Sequence, residues 1–290
     1  MSFKNEIRTE LNHRLGVNII KTENLSGGCI SNAFKISTED GRDFFLKIND
    51  NVPTDMYKTE ANGLYELQKS NAIRVPEAKI YSGRYIVTEF IKTGKKSIKF
   101  FQNFGRNFAL LHRYKGYSFG FYEDNYIGSN PQKNLADDFE ARNWNAFYLN
   151  KRLRFQLSLC EKNGYATNEL KRDFTKLEDK ISDIIIDTHE EPSLLHGDLW
   201  SGNYIIGENG EACIIDPAVY YGNREADLAM TKLFGGYPQQ FYESYNEAYP
   251  LDDGWEYREN IYMLYHVLNH LNLFGRSYYS QVLSLIKYYL

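Results

Sequence analysis

Ser193-Leu194-Leu195-His196-Gly197-Asp198-Leu199-Trp200-Ser201-Gly202-Asn203 is the stretch on which the fold turns. Apolar residues run into His196, Gly197 and Asp198, and Asn203 follows the aspartate by five positions. A short strand bounded by glycine and aspartate delivers Asp198 to a loop where polar groups can converge on a ligand; an ordinary turn is the other reading. Downstream, Tyr204 to Ile206, the turn Gly207-Glu208-Asn209-Gly210 and Ala212 to Asp216 read as a β-hairpin ending on a second aspartate. Hairpin pairing brings Asn203 close to Asp216 with Asp198 one loop away. Two carboxylates and an amide oxygen suit a hard cation, Mg2+ being the natural choice.

Upstream, the first third reads as strands. Lys21 to Leu25 and Ile30 to Ser37 flank the glycine turn Ser26-Gly27-Gly28-Cys29, and Asp40-Gly41 signals a hairpin into Asp43 to Ile48. Alternation in this third strand puts Phe44, Leu46 and Ile48 on one face and Phe45 with Lys47 on the other. Pro53 suits the first turn of a helix from about Thr54 to Gln68, whose stripe Met56, Glu60, Gly63, Leu64 and Leu67 sets a carboxylate on an apolar face. A buried, unpaired carboxylate is costly, so Lys47 is the candidate partner; the alternative is a solvated Glu60 at the stripe's edge.

Arg84 to Ile91 reads as a further strand, and Lys92, Lys95, Lys96 and Lys99 mark a solvated linker. The division falls here, into lobes 1–91 and 92–290. Beyond it helices dominate: one stripe of Phe101, Phe104, Phe108 and Leu111, another of Tyr257, Ile261, Leu264, Leu268 and Leu271. Between them, 117–134 is an aromatic loop, and 137–162 and 167–188 carry helical patterns. The last residues, 277–290, read as a packed helix. The fold class is α+β, with a small antiparallel-sheet lobe carrying one helix and a larger, mostly helical lobe.

The 290 residues are 42% hydrophobic and 25% charged, the balance of a folded chain with a large core. Aromatic residues make up 16%, enough for dense packing and an aromatic-lined cleft besides. A net charge of −4 offers no basic field for a phosphate backbone, so nucleic acid is not expected as a partner. Cys29, Cys160 and Cys213, odd in number and widely spaced, form neither a disulfide framework nor a zinc set and fit a reducing compartment. The start, Met1 to Glu10, lacks the apolar core of a signal peptide, and no run has the length of a membrane-spanning helix. The expectation is a cytoplasmic protein without a membrane partner.

Four features fall in order: a glycine turn between strands, the strand lysine Lys47, the helix glutamate Glu60, and His196-x-Asp198-x-x-x-x-Asn203 followed by strand-terminal Asp216. Together they resemble the protein-kinase-like phosphotransferases. Departures narrow the resemblance. Ser26 to Asn32 is not G-x-G-x-x-G, Asp216-Pro217-Ala218 replaces Asp-Phe-Gly, and Trp200 stands where protein kinases usually carry lysine. The opening stretch with Ile215-Asp216-Pro217-Ala218, Tyr221-Gly222 and Phe234-Gly235-Gly236-Tyr237-Pro238 instead resembles the fructosamine kinase family. Gly28 to Ser31, Trp144, Arg152 to Leu157 and Leu268 to Gly275 extend the resemblance over nearly the whole chain.

That resemblance implies a two-lobed kinase-like fold and ATP-dependent phosphorylation of the 3-hydroxyl of ketosamines, destabilising the adduct so that the amine is freed. By the same resemblance Asp198 is the catalytic base, which needs no strongly raised pKa, and Asn203 with Asp216 holds Mg2+. Lys47, fixed by Glu60, binds the α- and β-phosphates under the backbone of Gly27, Gly28, Cys29 and Ile30, while Glu89, Phe90 and Ile91 form the hinge meeting adenine. Asn269 and His270 face the substrate cleft. Acceptors are small ketosamines or glycated protein lysines, and the protein is a monomer or homodimer. A kinase for another hydroxylated amine, such as an aminoglycoside or choline, is the near alternative. A non-catalytic nucleotide-binding scaffold is the distant one, since it would not require Asp198.

Other residues carry two readings each. Trp200 can stack on a ketosamine or pack in the core. His196 holds the loop rather than acting as a base. His266 and His270 have a zinc-compatible helical spacing without an evident third ligand. Cys29, beside the expected phosphates, is a redox candidate whose oxidation would block ATP, or an inert small residue of a tight turn. Cys160 and Cys213 read as core residues.

Overall fold

In the computed structural model of the chain, residues 5–25, 31–185 and 191–290 are described. The glycine-turn residues Gly27, Gly28, Cys29 and Ile30, with the redox reading of Cys29, lie outside the described residues.

The N-terminal strands are β1 (Ile19–Leu25), β2 (Asn32–Thr38), β3 (Asp43–Ile48), β4 (Ala78–Tyr81) and β5 (Tyr85–Glu89). They form one antiparallel sheet in the order β1-β2-β3-β5-β4. Alternation in β3 works as expected: Phe44, Leu46 and Ile48 are buried with Ile36, Tyr85 and Val87, while Lys47 pairs across to Ile86 on the opposite face. Two helices serve this sheet where one was expected. α1 (Asn5–Leu15) covers the Phe44 face through Ile7 and Leu11, and α2 (Met56–Lys69) packs with Ile86. With only two buried residues, α1 has no apolar stripe to read. Strand β4, four residues long with an irregular register between Ala78 and Ile80, is equally silent.

The rest of the chain is mostly helical. It begins with α3 (Phe100–His112), whose buried stripe runs through Phe100, Phe104, Phe108 and Leu111, with Phe101 half-buried beside it. The aromatic loop contains a small hairpin, β6 (Asn125–Ile127) with β7 (Asn130–Gln132). The 137–162 pattern is not one helix. Asn143 caps α4 (Trp144–Phe147) by accepting from the Ala146 N–H, and a π-helical stretch, Tyr148–Arg154, leads into α5 (Phe155–Lys162). α6 (Asn168–Glu178) and α7 (Ile181–Ile184) precede β8 (Ser193–Leu195), β9 (Tyr204–Ile206), β10 (Ala212–Ile214) and β11 (Tyr220–Gly222). β9 pairs with β10 and β8 with β11. α8 (Glu225–Leu233), α9 (Gln239–Ala248), α10 (Trp255–Phe274) and α11 (Tyr279–Lys287) complete the chain. In α10, Ile261, Leu264, Leu268 and Leu271 are buried, whereas Tyr257 is exposed.

One apolar core runs across the expected boundary at 91/92: Tyr57, Leu64 and Leu67 of α2 pack with Phe104, Leu194, Ile214 and Val219. The lysine linker lies along the β9–β10 hairpin, with Gly94 N–H donating to Ile206 O at 3.0 Å. A Cβ on Gly94 would sit 2.4 Å from Gly207 O, so only glycine fits. Among the described residues, no helix is long and apolar enough to cross a membrane.

Candidate active site

The opening stretch folds around a buried carboxylate that the sequence reading did not single out. Asp227, on α8, accepts the backbone N–H of His196 at 2.7 Å through Oδ2 and that of Gly197 at 2.8 Å through Oδ1. His112 of α3 stands with Nε2 3.3 Å from the same Oδ2 and Nδ1 2.7 Å from the Tyr245 hydroxyl. A carboxylate only accepts, so neutral His112 donates from Nε2 and accepts at Nδ1. Burial alone would raise the Asp227 carboxyl, but the bonds from His112 and Gly197 prevail and hold it below the usual range. An aspartate inside the apolar run Ala226-Asp227-Leu228-Ala229-Met230 is a signal of the same kind that marked Glu60.

This anchor sets the loop. Gly197 has φ +83°, and a Cβ there would lie 1.9 Å from Ala218 O, so chirality and contact both require glycine. His196 donates from Nε2 to Ile215 O at 2.9 Å, and Ala218 N–H donates to His196 O at 2.9 Å, which stitches the loop to the segment carrying Asp216. His196 is therefore structural, as expected, and burial keeps its imidazole neutral.

Asp198 projects from the loop, and Asn203 Nδ2 donates to its carbonyl at 2.7 Å and to its Oδ2 at 3.1 Å. Its Oδ1 takes no hydrogen bond from the described residues. Contrary to expectation, its carboxyl sits well above the usual range, because burial and the nearby Asp216 and Asp227 charges outweigh the Asn203 bond. A bound cation would pull it back down.

Asp216 has φ +56°, rare for a residue other than glycine, and this aims its carboxylate at β3. Lys47 Nζ lies 2.6 Å from Asp216 Oδ1 and 2.8 Å from Glu60 Oε1. Glu60 is therefore paired, not solvated, with 17% of its side chain exposed. Burial opposes the Lys47 charge, but the Asp216 and Glu60 carboxylates outweigh it and hold the ammonium above its ordinary value. Burial raises Glu60, and Lys47 only partly offsets it. Gly63 lets α2 press on the residues that follow Asp216, its Cβ position lying 3.4 Å from Pro217 and 3.3 Å from Val219.

The donors suit a hard cation. Because Asn203 spends its amide N–H on Asp198, its oxygen is turned away and takes no bond from the described residues; Asp216 Oδ2 is likewise uncommitted.

At the expected hinge, the Glu89 side chain is committed to Arg74, 2.7 Å away, and Arg74 also holds Glu211 at 2.8 Å. Glu89 N–H donates to Glu77 O at 2.8 Å, and the Phe90 ring lies 4.8 Å from Lys35 Nζ. Ile91 is buried.

The expected substrate residues separate. Trp200 is half-buried against Phe234, ring centroids 5.5 Å apart, and Phe234 stands 4.9 Å from His270. His270 donates from Nδ1 to His266 O at 2.7 Å, which leaves Nε2 as an acceptor. Asn269 does not face a cleft. It is 1% exposed, and its Oδ1 accepts from Asn130 at 2.9 Å and Gln156 at 3.2 Å. Cys160 and Cys213 are buried core thiols, each pushed up to about 12 by burial.

A strand lysine tied to a helix carboxylate and to a loop aspartate, with a second, amide-oriented aspartate near that loop aspartate, is the arrangement of a kinase-like phosphotransferase. An ADP-bound aminoglycoside phosphotransferase shares this fold, with a TM-score of 0.62 over 99% of this chain and 100% of that one at 16% identity. The fructosamine kinase family model matches residues 3–290, and the chain belongs to that family. It is 37% identical over 265 residues to a probable ketoamine kinase of Enterococcus faecium, covering 90% of this chain and 92% of the relative. To the chloroplastic protein-ribulosamine 3-kinase of Oryza sativa subsp. japonica it is 40% identical over 281 residues, 94% of this chain and 79% of that one. A crystal structure assigned to the fructosamine-3-kinases, from Thermobifida fusca, superposes with a TM-score of 0.89 at 28% identity over 99% of each chain.

Proposed function

We propose that this protein phosphorylates the 3-hydroxyl of ketosamines at the expense of ATP, with Asp198 as the catalytic base. The observation that carries the reading is the convergence of Lys47 on Glu60 and Asp216, next to an Asp198 whose carboxylate is oriented by Asn203.

Each residue has a part. Asp198 Oδ1 accepts the proton of the acceptor hydroxyl, while the Asn203 bond to Oδ2 fixes the carboxylate plane. Lys47 offers its ammonium to the α- and β-phosphates, held in place by Glu60. Asn203 Oδ1 and Asp216 would hold Mg2+, which would neutralise charge on the transferring phosphoryl group. The Glu89 to Ile91 backbone meets adenine. Trp200 packs on the sugar or its ammonium, and His270 accepts a hydroxyl at Nε2. The lobes on either side of this cleft are 1–91 and 92–290. Similarity to bacterial ketoamine kinases and the scattered cysteines support a cytoplasmic location, and the acidic net charge supports a small ketosamine or glycated lysine over nucleic acid.

Asp198→Asn tests the assignment. It keeps the shape but removes the base, so kcat falls by at least about 10³-fold, roughly 4 kcal/mol of transition-state stabilisation. Near-normal turnover would refute the role.

A further inference from the structure

The β6–β7 hairpin sits between the Asp216 segment, α10 and α2, and its buried amides bind the first two. Gln132 is 1% exposed, Asn125 4% and Asn134 0%. Gln132 Nε2 donates to Ala218 O and to Asn125 Oδ1, both at 2.9 Å, and its Oε1 accepts the Tyr265 hydroxyl of α10 at 2.8 Å. Asn125 Nδ2 donates to Val219 O at 2.8 Å, and Asn134 Nδ2 donates to Asn125 Oδ1 at 2.8 Å. Both hydrogens and the oxygen of Gln132 are thus used, and only an amide of this length can serve.

The outer side of the hairpin grips α2. Asn62 Nδ2 donates to Glu123 Oε1 at 2.7 Å, and the Tyr126 hydroxyl donates to Asp55 Oδ1 at 2.6 Å. The carbonyls of Ala218 and Val219 lie two and three residues beyond Asp216, and Glu60 lies on α2 between the N-cap residue Asp55 and Asn62. One hairpin, braced on α10, therefore links the helix that holds Lys47 to the segment that holds Asp216.

We propose that Gln132 and Asn125 are positioning residues for phosphoryl transfer: the hairpin sets the Asp216 segment and α2 in one fixed relation. The proposal rests on the reading of Asp216 as a cation ligand. Nothing in it needs the hairpin to touch substrate or nucleotide.

Two variants test it, Gln132→Leu in the buried network and Asn62→Ala/Tyr126→Phe on the α2 side. Each is assayed for ATP turnover with a fructosamine acceptor over a Mg2+ titration and for hydrogen exchange, with Asp216→Asn run in parallel. Gln132→Leu should raise the Mg2+ needed for half-maximal rate about 10-fold and speed exchange in 216–222 and 56–69 but not in 255–274. The double variant, which spares the core, should raise the Mg2+ requirement about 3-fold with unfolding temperature held. If Asp216→Asn raises the Mg2+ requirement while both hairpin variants leave it and the exchange of 216–222 at wild-type levels, the hairpin proposal is overturned. If exchange rises as stated but Asp216→Asn leaves the Mg2+ requirement unchanged, the hairpin's hold on the two segments stands, while the cation reading of Asp216, and with it the positioning role in phosphoryl transfer, falls.

Discussion

Asp227→Asn isolates the anchor of the loop that carries Asp198. The wild-type carboxylate takes the His196 and Gly197 N–H groups at 2.7 and 2.8 Å, one on each oxygen. An asparagine has one oxygen, so whichever way its amide turns, one of these buried donors faces an NH2 group. Leaving a buried donor unsatisfied costs about 1–3 kcal/mol, and replacing the other charge-assisted bond by a neutral one adds about 1 kcal/mol. The expected loss of stability is therefore about 2–4 kcal/mol. If about 2 kcal/mol of it is also lost from the transition state, because Gly197 and Asp198 shift together, kcat falls roughly 30-fold. Urea unfolding followed by fluorescence gives the first quantity, and initial rates of ADP release on fully folded protein give the second. A variant within about 0.5 kcal/mol of wild type and twofold in kcat would refute the anchoring argument.

Two further outcomes follow from the charges. Glu60→Gln keeps a neutral acceptor for Lys47 but removes its permanent counter-charge; kcat/KM for ATP should fall about 10- to 100-fold with little loss of stability, since the buried Glu60 charge is itself costly. A large drop in unfolding temperature with unchanged kinetics would contradict it. His266, whose buried Nδ1 has no partner among the described residues, is pushed down to about 3 by burial and the nearby His270. With the folded value depressed, its contribution is fully present above the unfolded value of about 6.5 and is lost as pH falls toward the folded one. At pH 5 the loss is about 2 kcal/mol, which His266→Gln should remove from the pH 7 to pH 5 difference in urea stability. Buried neutral His112 and His196 act in the same direction.

What could be read from the sequence was chemistry placed at the ends of regular elements. Lys47 is marked by strand alternation, Glu60 by a carboxylate on an apolar stripe, and Asp198, Asn203 and Asp216 by their positions around a hairpin. The pairing of Lys47 with Glu60 followed from the cost of burying either alone. What escaped has no periodicity. The β6–β7 strands are three residues each and are held by side-chain amides, α1 buries two residues, and Arg74 acts only because Glu89 and Glu211 meet beside it. Asn269, placed at the cleft by resemblance, is buried instead, because the helix face it occupies packs inward. The raised Asp198 carboxyl is likewise a product of burial by elements far apart in sequence.

The central claim is tested most directly by Mg2+-dependent ADP release with fructosamine, ribulosamine and erythrulosamine adducts, beside aminoglycosides and choline, using Asp198→Asn as the blank. Turnover of a ketosamine, abolished in the blank, is the expected result. Turnover confined to choline or an aminoglycoside, or nucleotide binding without turnover of any acceptor, would contradict it.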